Sequence, residues 1–173
     1  MKVQQASMSP QDIAVLLMMG IDSKTQWSQM KLAELVSLSQ PEISNSLGRS
    51  RYAGLLDDSG KSVRKKALLE FLQYGIAYAF PVKPGPVVRG IPTAHSASPL
   101  NNLLVSNGEE YVWPSATGQM RGQAISPLYK NVVKAVKGNH ELHEMLALVD
   151  ALRVGRVREK NLAMEELKKR LNA

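Results

Sequence analysis

The feature that most constrains this chain is a pair of short helical patterns between residues 28 and 53. Apolar side chains recur at helical spacing before and after the segment Ser37–Ser39. They are Met30, Leu32, Ala33, Leu35 and Val36 in the first pattern, and Ile43, Leu47 and Tyr52 in the second. The spacing predicts two short helices that meet at a tight turn.

The same residues predict how the two helices pack. Ser39 opens an S-x-x-E capping box, which marks the start of the second helix. Ala33 is the small residue that a close crossing requires, and Leu38 fills the turn. Ile43 and Leu47 follow at a spacing that lets both helices share one small core. The segment is therefore expected to form a rigid two-helix unit.

Residues 29 to 48 resemble the helix-turn-helix family, and LAELVSLSQPEISNSL with the following AGLL is similar to the winged-helix regulators. Ser37 departs from that family, which often has glycine in the turn, so we expect a slightly longer or strained turn. The later segments RGIPTAHSASPL and LALVDALRVGRVRE are also similar to uncharacterised bacterial winged-helix proteins. The resemblance implies a transcriptional regulator that binds double-stranded DNA and, for some of that group, a toxin-like protein partner.

The second helix leaves small, polar or basic side chains outside its packing face, and such a surface can enter a major groove. We predict base contacts from Gln40, Pro41, Ser44, Asn45 and Arg49. Asn45 and Gln40 have the chemistry to pair with adenine, and Arg49 with guanine. Phosphate contacts are predicted for Ser28, Gln29, Arg51, Lys61, Arg64, Lys65 and Lys66. The alternative is a packed helical corner whose polar face is simply solvated.

Charge and composition are consistent with a polyanionic partner. The 173 residues carry a formal net charge of +7, of which about −1 falls before residue 61 and about +5 between residues 61 and 100. The chain has no cysteine, which excludes disulfides, thiolate metal sites and cysteine nucleophiles. It also has no export signal and no run of about 18 apolar residues. We therefore expect a cytoplasmic protein without membrane contact.

The whole chain is predicted to be mainly α, in three parts. Residues 1 to 80 form the helix-turn-helix head, which is winged-helix-like and allows a minor wing or hairpin. Residues 81 to 138 form a Pro-rich strap and an irregular segment, because repeated proline disfavours helix and central strand. Short strands are predicted there for Leu103–Val105 and Tyr111–Trp113. Residues 139 to 173 form a C-terminal helical pair, a possible dimerisation or partner surface.

Caps and breakers place the remaining helices. Ser9 before proline starts the first helix, and Gly20 is predicted to end it. A helix is predicted from about Val63 to the strap, with Ser62 as its candidate cap. Asn139 is predicted to cap the first helix of the C-terminal pair. These signals predict helices in both the head and the C-terminal lobe.

Signals for a metal or an enzyme are weak. His140 and His143 lie three residues apart on one predicted helical face, but no third ligand accompanies them, so we predict no metal and no cofactor. The chain has no P-loop, G-x-S-x-G or H-E-x-x-H motif, and we do not expect an enzyme. An enzyme in the C-terminal lobe would have only these two residues and His95 as candidate groups.

The other notable side chains have structural interpretations. Tyr111, Trp113 and Tyr129 are expected in the core rather than on a stacking surface. The tail residues Asp150, Arg153, Arg156, Arg158 and Glu159 would form an internal ion network, a partner surface or, most commonly, a solvated face.

The predicted function is sequence-specific binding of double-stranded DNA by a dimeric transcriptional regulator that is not an enzyme. One short reading helix buries too little surface for firm specific binding, so a homodimer on a two-fold operator is expected, with repression by promoter occlusion. The alternative is a protein-interaction module such as an antitoxin that neutralises a partner toxin, with or without DNA binding. An exposed apolar groove in the second lobe would favour that alternative.

Overall fold

The computed structural model describes residues 6 to 173 and confirms a mainly α fold, with about 53% helix and a small three-stranded sheet. The helices are α1 (Pro10–Ile21), α2 (Gln29–Val36), α3 (Gln40–Tyr52), α4 (Lys65–Tyr74), α5 (Ile76–Ala79), α6 (Leu100–Leu103), α7 (Val132–Val136), α8 (His140–Val154) and α9 (Val157–Leu171). The strands are β1 (Val87–Pro92), β2 (Tyr111–Pro114) and β3 (Met120–Ala124). Within this part of the chain, no helix is long and apolar enough to span a membrane.

Helix α1 is the central helix of the N-terminal region and is buried from Asp12 to Gly20. Its start agrees with the prediction, because the backbone N–H of Ser9 donates to the Asp12 carboxylate at 2.7 Å. The predicted stop at Gly20 is wrong, since the helix continues to Ile21. A Cβ atom on Gly20 would lie 2.8 Å from Leu171 Cδ2, so glycine here allows the end of α9 to approach closely.

The α2–α3 pair forms as its caps predict. The Ser39 hydroxyl accepts the Glu42 N–H at 3.3 Å, and the Glu42 carboxylate accepts the Ser39 N–H at 2.8 Å, which completes the capping box. Ile43 is fully buried between the helices. The predicted packing of Met30 and Tyr52 is wrong, because these side chains are 68% and 75% exposed. The shared core is therefore narrower than the apolar pattern indicated.

The turn between α2 and α3 is stabilised from outside. Ser37 adopts the left-handed conformation, with φ 54° and ψ 48°, which glycine usually provides. The Tyr129 hydroxyl donates to the Val36 carbonyl at 2.9 Å, and the Asn131 side-chain amide donates to the Ser37 carbonyl at 2.9 Å. These two donors satisfy carbonyls that the end of α2 leaves free. The predicted strain at Ser37 is thus accommodated without lengthening the turn.

A short hairpin follows α3, as the sequence allowed. Leu56 and Val63 form an antiparallel bridge, and the Asp57 N–H donates to the Ser62 carbonyl at 2.9 Å. Ser62 lies in this hairpin, so its predicted role as a helix cap is wrong; Arg64 occupies the N-cap position of α4. The predicted long helix is also divided at Gly75, into α4 and α5.

The sheet corrects the prediction for the Pro-rich segment. Strand β1 pairs antiparallel with both β2 and β3, and β2 pairs with β3 in parallel, so the three strands close into a small barrel and the proline-flanked strand is paired on both sides. Pro84 and Pro86 precede β1 and Pro92 is its last residue, so the intervening N–H groups remain available for pairing. The strand at Tyr111–Trp113 is confirmed. The strand at Leu103–Val105 is wrong, because α6 ends at Leu103 and a loop follows.

A buried carboxylate connects the sheet to α8. Asp150 accepts hydrogen bonds from the Thr93 hydroxyl and the Trp113 indole N–H, each at 2.7 Å, and from Arg153 at 2.8 Å. Burial raises the pKa of Asp150, and these three donors oppose that effect. Arg153 also donates to the Phe80 carbonyl at 2.9 Å. This part of the predicted tail ion network therefore exists, in the core rather than on a surface.

The hydrophobic core extends through both halves of the chain. A single cluster includes Leu16 of α1, Leu68 of α4 and Leu148 of α8. Helix α1 lies against both α8 and α9, and α8 also contacts α5. The C-terminal helical pair, with Asn139 capping α8 as predicted, thereby supports the α1–α3 region. The division of the sequence at residues 80 and 138 stays a prediction.

Candidate nucleic-acid interface

Helix α3 has one buried face and one exposed polar face. Ile43, Ser46 and Ser50 point inward and are completely buried. The exposed positions are Gln40, Pro41, Ser44, Asn45 and Gly48. Within residues 6 to 173, the side chains of Gln40, Ser44 and Asn45 make no hydrogen bond to the protein. Their donors and acceptors are therefore available to a partner.

Four of the five predicted base-reading residues lie on this exposed face. Gln40 and Pro41 form the first turn of α3, and Ser44 and Asn45 follow one turn later. A Cβ atom added to Gly48 would meet nothing within 4 Å, which shows that the space in front of the middle of the helix is open. The arrangement leaves amide and hydroxyl groups exposed on an unobstructed surface.

Arg49 is the exception, and its predicted role is corrected. Its guanidinium makes a bidentate contact with Asp12 of α1, with Nε at 2.9 Å from Oδ2 and a terminal nitrogen at 2.7 Å from Oδ1. Asp12 is completely buried and the Arg49 side chain is only 23% exposed. The bond to Asp12 raises the pKa of Arg49, which stays charged. Arg49 thus fixes α3 against α1 and is not free to pair with guanine.

A shallow cleft of about 280 Å³ connects the exposed face of α3 with its neighbours. It is lined by Gln29, Ser44, Leu47, Gly48, Arg51, Ser59 and Gly60. Gln29 is the first residue of α2, Arg51 is near the end of α3, and Gly60 belongs to the hairpin. Three separate elements therefore surround one concave surface, and two of the predicted phosphate contacts lie in it.

The other predicted phosphate contacts are more dispersed. Ser28 is the N-cap of α2, and its hydroxyl accepts the Lys31 N–H at 3.1 Å. Arg64 pairs with Asp58 at 3.3 Å, an exposed contact that is easily exchanged for another anion. Lys61 and Lys65 line a neighbouring cleft beside the α1–α2 loop, and Lys66 is exposed on α4. The structure groups these lysines with the hairpin rather than with α3.

The hairpin turn presents Lys61 outward by binding its backbone. The Asp57 carboxylate accepts the N–H groups of Lys61 and Ser62 at 3.0 and 3.1 Å, and Gly60 has a φ of 72°. The backbone bond from Ser62, followed by the Ser59 hydroxyl bond, lowers the pKa of Asp57. Sequence reasoning missed Ser59 and Gly60 as parts of the site, because D-D-S-G signals a turn but not what the turn faces.

The histidines occupy separate positions. The His143 ring donates from Nε2 to the Pro92 carbonyl at 2.8 Å, and burial lowers its pKa. His140 lies 3.2 Å from the Glu144 carboxylate, and His95 Nε2 lies 2.6 Å from the Glu109 carbonyl. Among the residues that the structure describes, no group of three or more His, Cys, Asp or Glu side chains is placed to hold a metal ion.

Comparison with known proteins places the chain in no family. No protein-family model matches it, and neither does any curated protein or solved structure. The arguments for function therefore come from the geometry above: an exposed and unpartnered polar face on a short helix, a concave surface beside it, and basic residues on the adjoining hairpin.

Proposed function

We propose that the protein binds double-stranded DNA in a sequence-specific manner, through a helix-turn-helix formed by α2 and α3, and acts as a cytoplasmic transcriptional regulator. The observation that carries this proposal is the exposed face of α3, whose polar groups have no partner within the described chain. Side-chain amides without an internal partner keep both donors and acceptors available, and two of them on one helix can read the edges of bases. Gln40 and Asn45 are these residues.

The rigidity of α3 supports the proposal, because base readout needs a helix at a fixed angle. The Asp12–Arg49 bond fixes α3 to α1, and the donors Tyr129 and Asn131 hold the turn that precedes it. The helix is therefore positioned before any DNA is bound. Preorganisation of this kind lowers the entropy cost of binding.

The residues of the site divide into two roles. Gln40 and Asn45 would each pair with adenine, and each good bidentate pair contributes about 1 to 3 kcal/mol of discrimination. Gln29 and Arg51 would contact phosphates at the edge of the groove, and the hairpin would bring Lys61 to the same backbone. Arg49 takes no part in base reading in this proposal.

The regulator would bind a two-fold operator as a homodimer and repress by covering a promoter. A single α3 presents only about two turns of outward-facing residues, and specific complexes bury roughly 1,000 to 2,500 Å² of protein surface. Two copies on paired half-sites would double the buried surface, with the half-sites one helical turn of DNA apart.

The proposal is tested by measuring affinity for a random duplex of about 30 base pairs over a range of salt concentrations. The parent is expected to bind at low salt, and Arg51→Gln/Lys61→Gln to lower the slope of log affinity against log salt by about 2, or about 0.9 for each lost phosphate contact. The matched control is Arg158→Gln/Lys168→Gln, which removes the same charge from the exposed side of α9. Absence of binding at low salt, or equal losses in both variants, would contradict DNA binding at this face.

A second candidate is a protein-interaction module such as an antitoxin, and one observation favours it. Tyr74, Tyr78 and Val157 are 70%, 86% and 75% exposed around a groove of about 240 Å³. Leu152 and Met164 form part of its lining. Exposed apolar surface of this kind is typical of protein contacts. If the parent does not bind DNA in the salt experiment, this candidate becomes the first to test.

A further inference from the structure

A cavity lies beside helix α3, between the α1–α2 loop and the hairpin. Its volume is about 450 Å³, within the range of about 300 to 1,000 Å³ that is typical of small-molecule sites. The loop residues Ser23–Trp27 form one wall and the hairpin residues Ser59–Ser62 form the other. None of the residues proposed to read bases lines this cavity.

The lining of the cavity includes apolar side chains and an aromatic ring. The apolar residues are Met19, Leu32 and Leu47, and the ring is that of Trp27. Trp27 is half-buried, and its indole N–H donates to the Asp22 carbonyl at 3.3 Å, which fixes the plane of the ring. A flat apolar group in the cavity would therefore find a ring to stack on.

The rim of the cavity is positive. Lys24 and Lys61 line it, no carboxylate side chain does, and neither ammonium forms an ion pair with a described residue. Two carboxylates lie behind the lining and are occupied by its backbone: Asp22 accepts the N–H groups of Lys24 and Thr25, and Asp57 accepts those of Lys61 and Ser62. Hydroxyl groups of Ser and Thr residues complete the polar lining. Such a rim favours an anion over a neutral or cationic ligand.

We propose that this cavity binds a small aromatic anion, with its ring beside Trp27 and its negative group between Lys24 and Lys61. The ring would replace water against the apolar lining residues, and the two ammonium groups would bind the charge without having to break an existing ion pair. The site needs no DNA and no second copy of the chain.

Two tryptophans make the site directly measurable, because the chain contains only Trp27 and Trp113. In a nitrogen-15 NMR titration of the full chain with sodium benzoate, the indole N–H signal of Trp27 shifts and saturates. The signal of Trp113, which is buried and bonded to Asp150, stays in place and shows that the fold is intact. Trp27→Phe assigns the two signals.

The charge requirement is tested with benzamide, a neutral molecule of similar size, and with Lys24→Gln/Lys61→Gln. The parent is expected to bind benzamide, and the double variant to bind benzoate, at least about threefold more weakly than the parent binds benzoate. The reason is that even exposed ion pairs contribute up to about 1 kcal/mol each. Arg158→Gln/Lys168→Gln, which removes two positive charges elsewhere, leaves the benzoate affinity unchanged. The proposal is overturned by an unmoved Trp27 signal, by equal binding of benzamide, or by equal losses in the two double variants.

A regulatory consequence rests on the proposed DNA binding. Ser59, Gly60 and Leu47 line both this cavity and the cleft beside Arg51, so a bound anion would bias the hairpin that faces DNA. Duplex affinity is expected to change at least about twofold when benzoate saturates the parent, and Lys24→Gln should need a higher benzoate concentration for the same change. The coupling is overturned if benzoate leaves the duplex affinity of the parent unchanged. Because the NMR titration contains no DNA, failure of the cavity and failure of DNA binding are distinguishable.

Discussion

The helix pairs α2–α3 and α8–α9 use polar side chains in opposite ways. In α8–α9, Arg170 contacts the Glu144 carboxylate at 3.0 Å, and Asp150 is bonded to Arg153 in the core. On the outer face of α3, by contrast, Gln40 and Asn45 are exposed and have no partner in the described chain. Polar groups that are paired internally support the fold, whereas unpaired ones on a rigid helix are available to a partner.

The electrostatics of the two pairs follow this difference. Although burial opposes it, the hydrogen bonds from Ser98 and Arg170 lower the pKa of Glu144, so this carboxylate stays ionised within the helix pair. Helix α3 contains both kinds of group. Arg49 is paired with Asp12, whereas Arg51, two residues later, lines the cleft. Substitutions of internally paired groups should therefore change stability, whereas substitutions of the exposed groups of α3 should change binding.

The largest effect is expected from Asp150→Ala. It removes the acceptor of three donors, and breaking a buried ion pair typically costs about 3 to 5 kcal/mol of unfolding free energy. Urea denaturation at pH 7 measures this loss. Thr93→Val, which removes one of these bonds, should cost about 1 kcal/mol. Equal stabilities of the parent and Asp150→Ala would show that this network does not support the fold.

The next effect separates two arginines of the same helix. Arg49→Ala is expected to lower the free energy of unfolding by about 3 kcal/mol, because it leaves the buried Asp12 without its ion-pair partner. Arg51→Ala should change stability by less than about 0.5 kcal/mol, as is usual for an exposed side chain. Urea denaturation of both variants is the measurement. Similar losses for the two would remove the distinction between a structural and a binding arginine.

A smaller effect is expected at the turn. Ser37 has a positive φ, so Ser37→Gly should raise the free energy of unfolding by up to about 1 kcal/mol, and Ser37→Val should lower it by about 1 to 2 kcal/mol. Thermal or urea unfolding gives the sign of each change. If valine is tolerated as well as glycine, the left-handed turn that positions α3 is not present in solution.

The smallest effect is a dependence of stability on pH. Burial lowers the pKa of His143, so the folded protein holds it neutral, while the unfolded chain takes up the proton near pH 6.5. The unfolded state therefore binds more protons below that pH, and stability falls as the pH drops from about 7 to about 5.5. His143→Gln should reduce this slope in urea denaturations across the range. An unchanged slope would assign the pH dependence to other groups.

Local patterns predicted much of the fold. Helical spacing and caps located α2, α3, α8 and α9, because these signals depend on residues only a few positions apart. Strand β1 was missed, since the prolines before it and at its last residue look the same in the sequence whether or not the intervening N–H groups pair. The supports of the turn, Tyr129 and Asn131, lie more than 90 residues from it and have no local signal.

The candidate site could also be predicted only where it depends on neighbouring residues of one helix. Gln40, Ser44 and Asn45 follow from helical periodicity, because the outer face of a helix is fixed once its inner face is known. Arg49 does not follow, since a basic residue near a helix end gives the same pattern whether it is solvated or bonded to a distant acid. The cavity beside Trp27 is formed by a loop and a hairpin, and only the tertiary structure brings them together.

The most direct test of the central claim is a selection of duplexes from a randomised pool, made with the parent and with Gln40→Ala/Asn45→Ala. The parent is predicted to enrich a two-fold sequence, and the variant to lose at least about tenfold in its preference for that sequence over random DNA, with little change in affinity for random DNA. If the parent enriches no sequence, or the variant enriches the same sequence equally well, the exposed face of α3 does not read DNA.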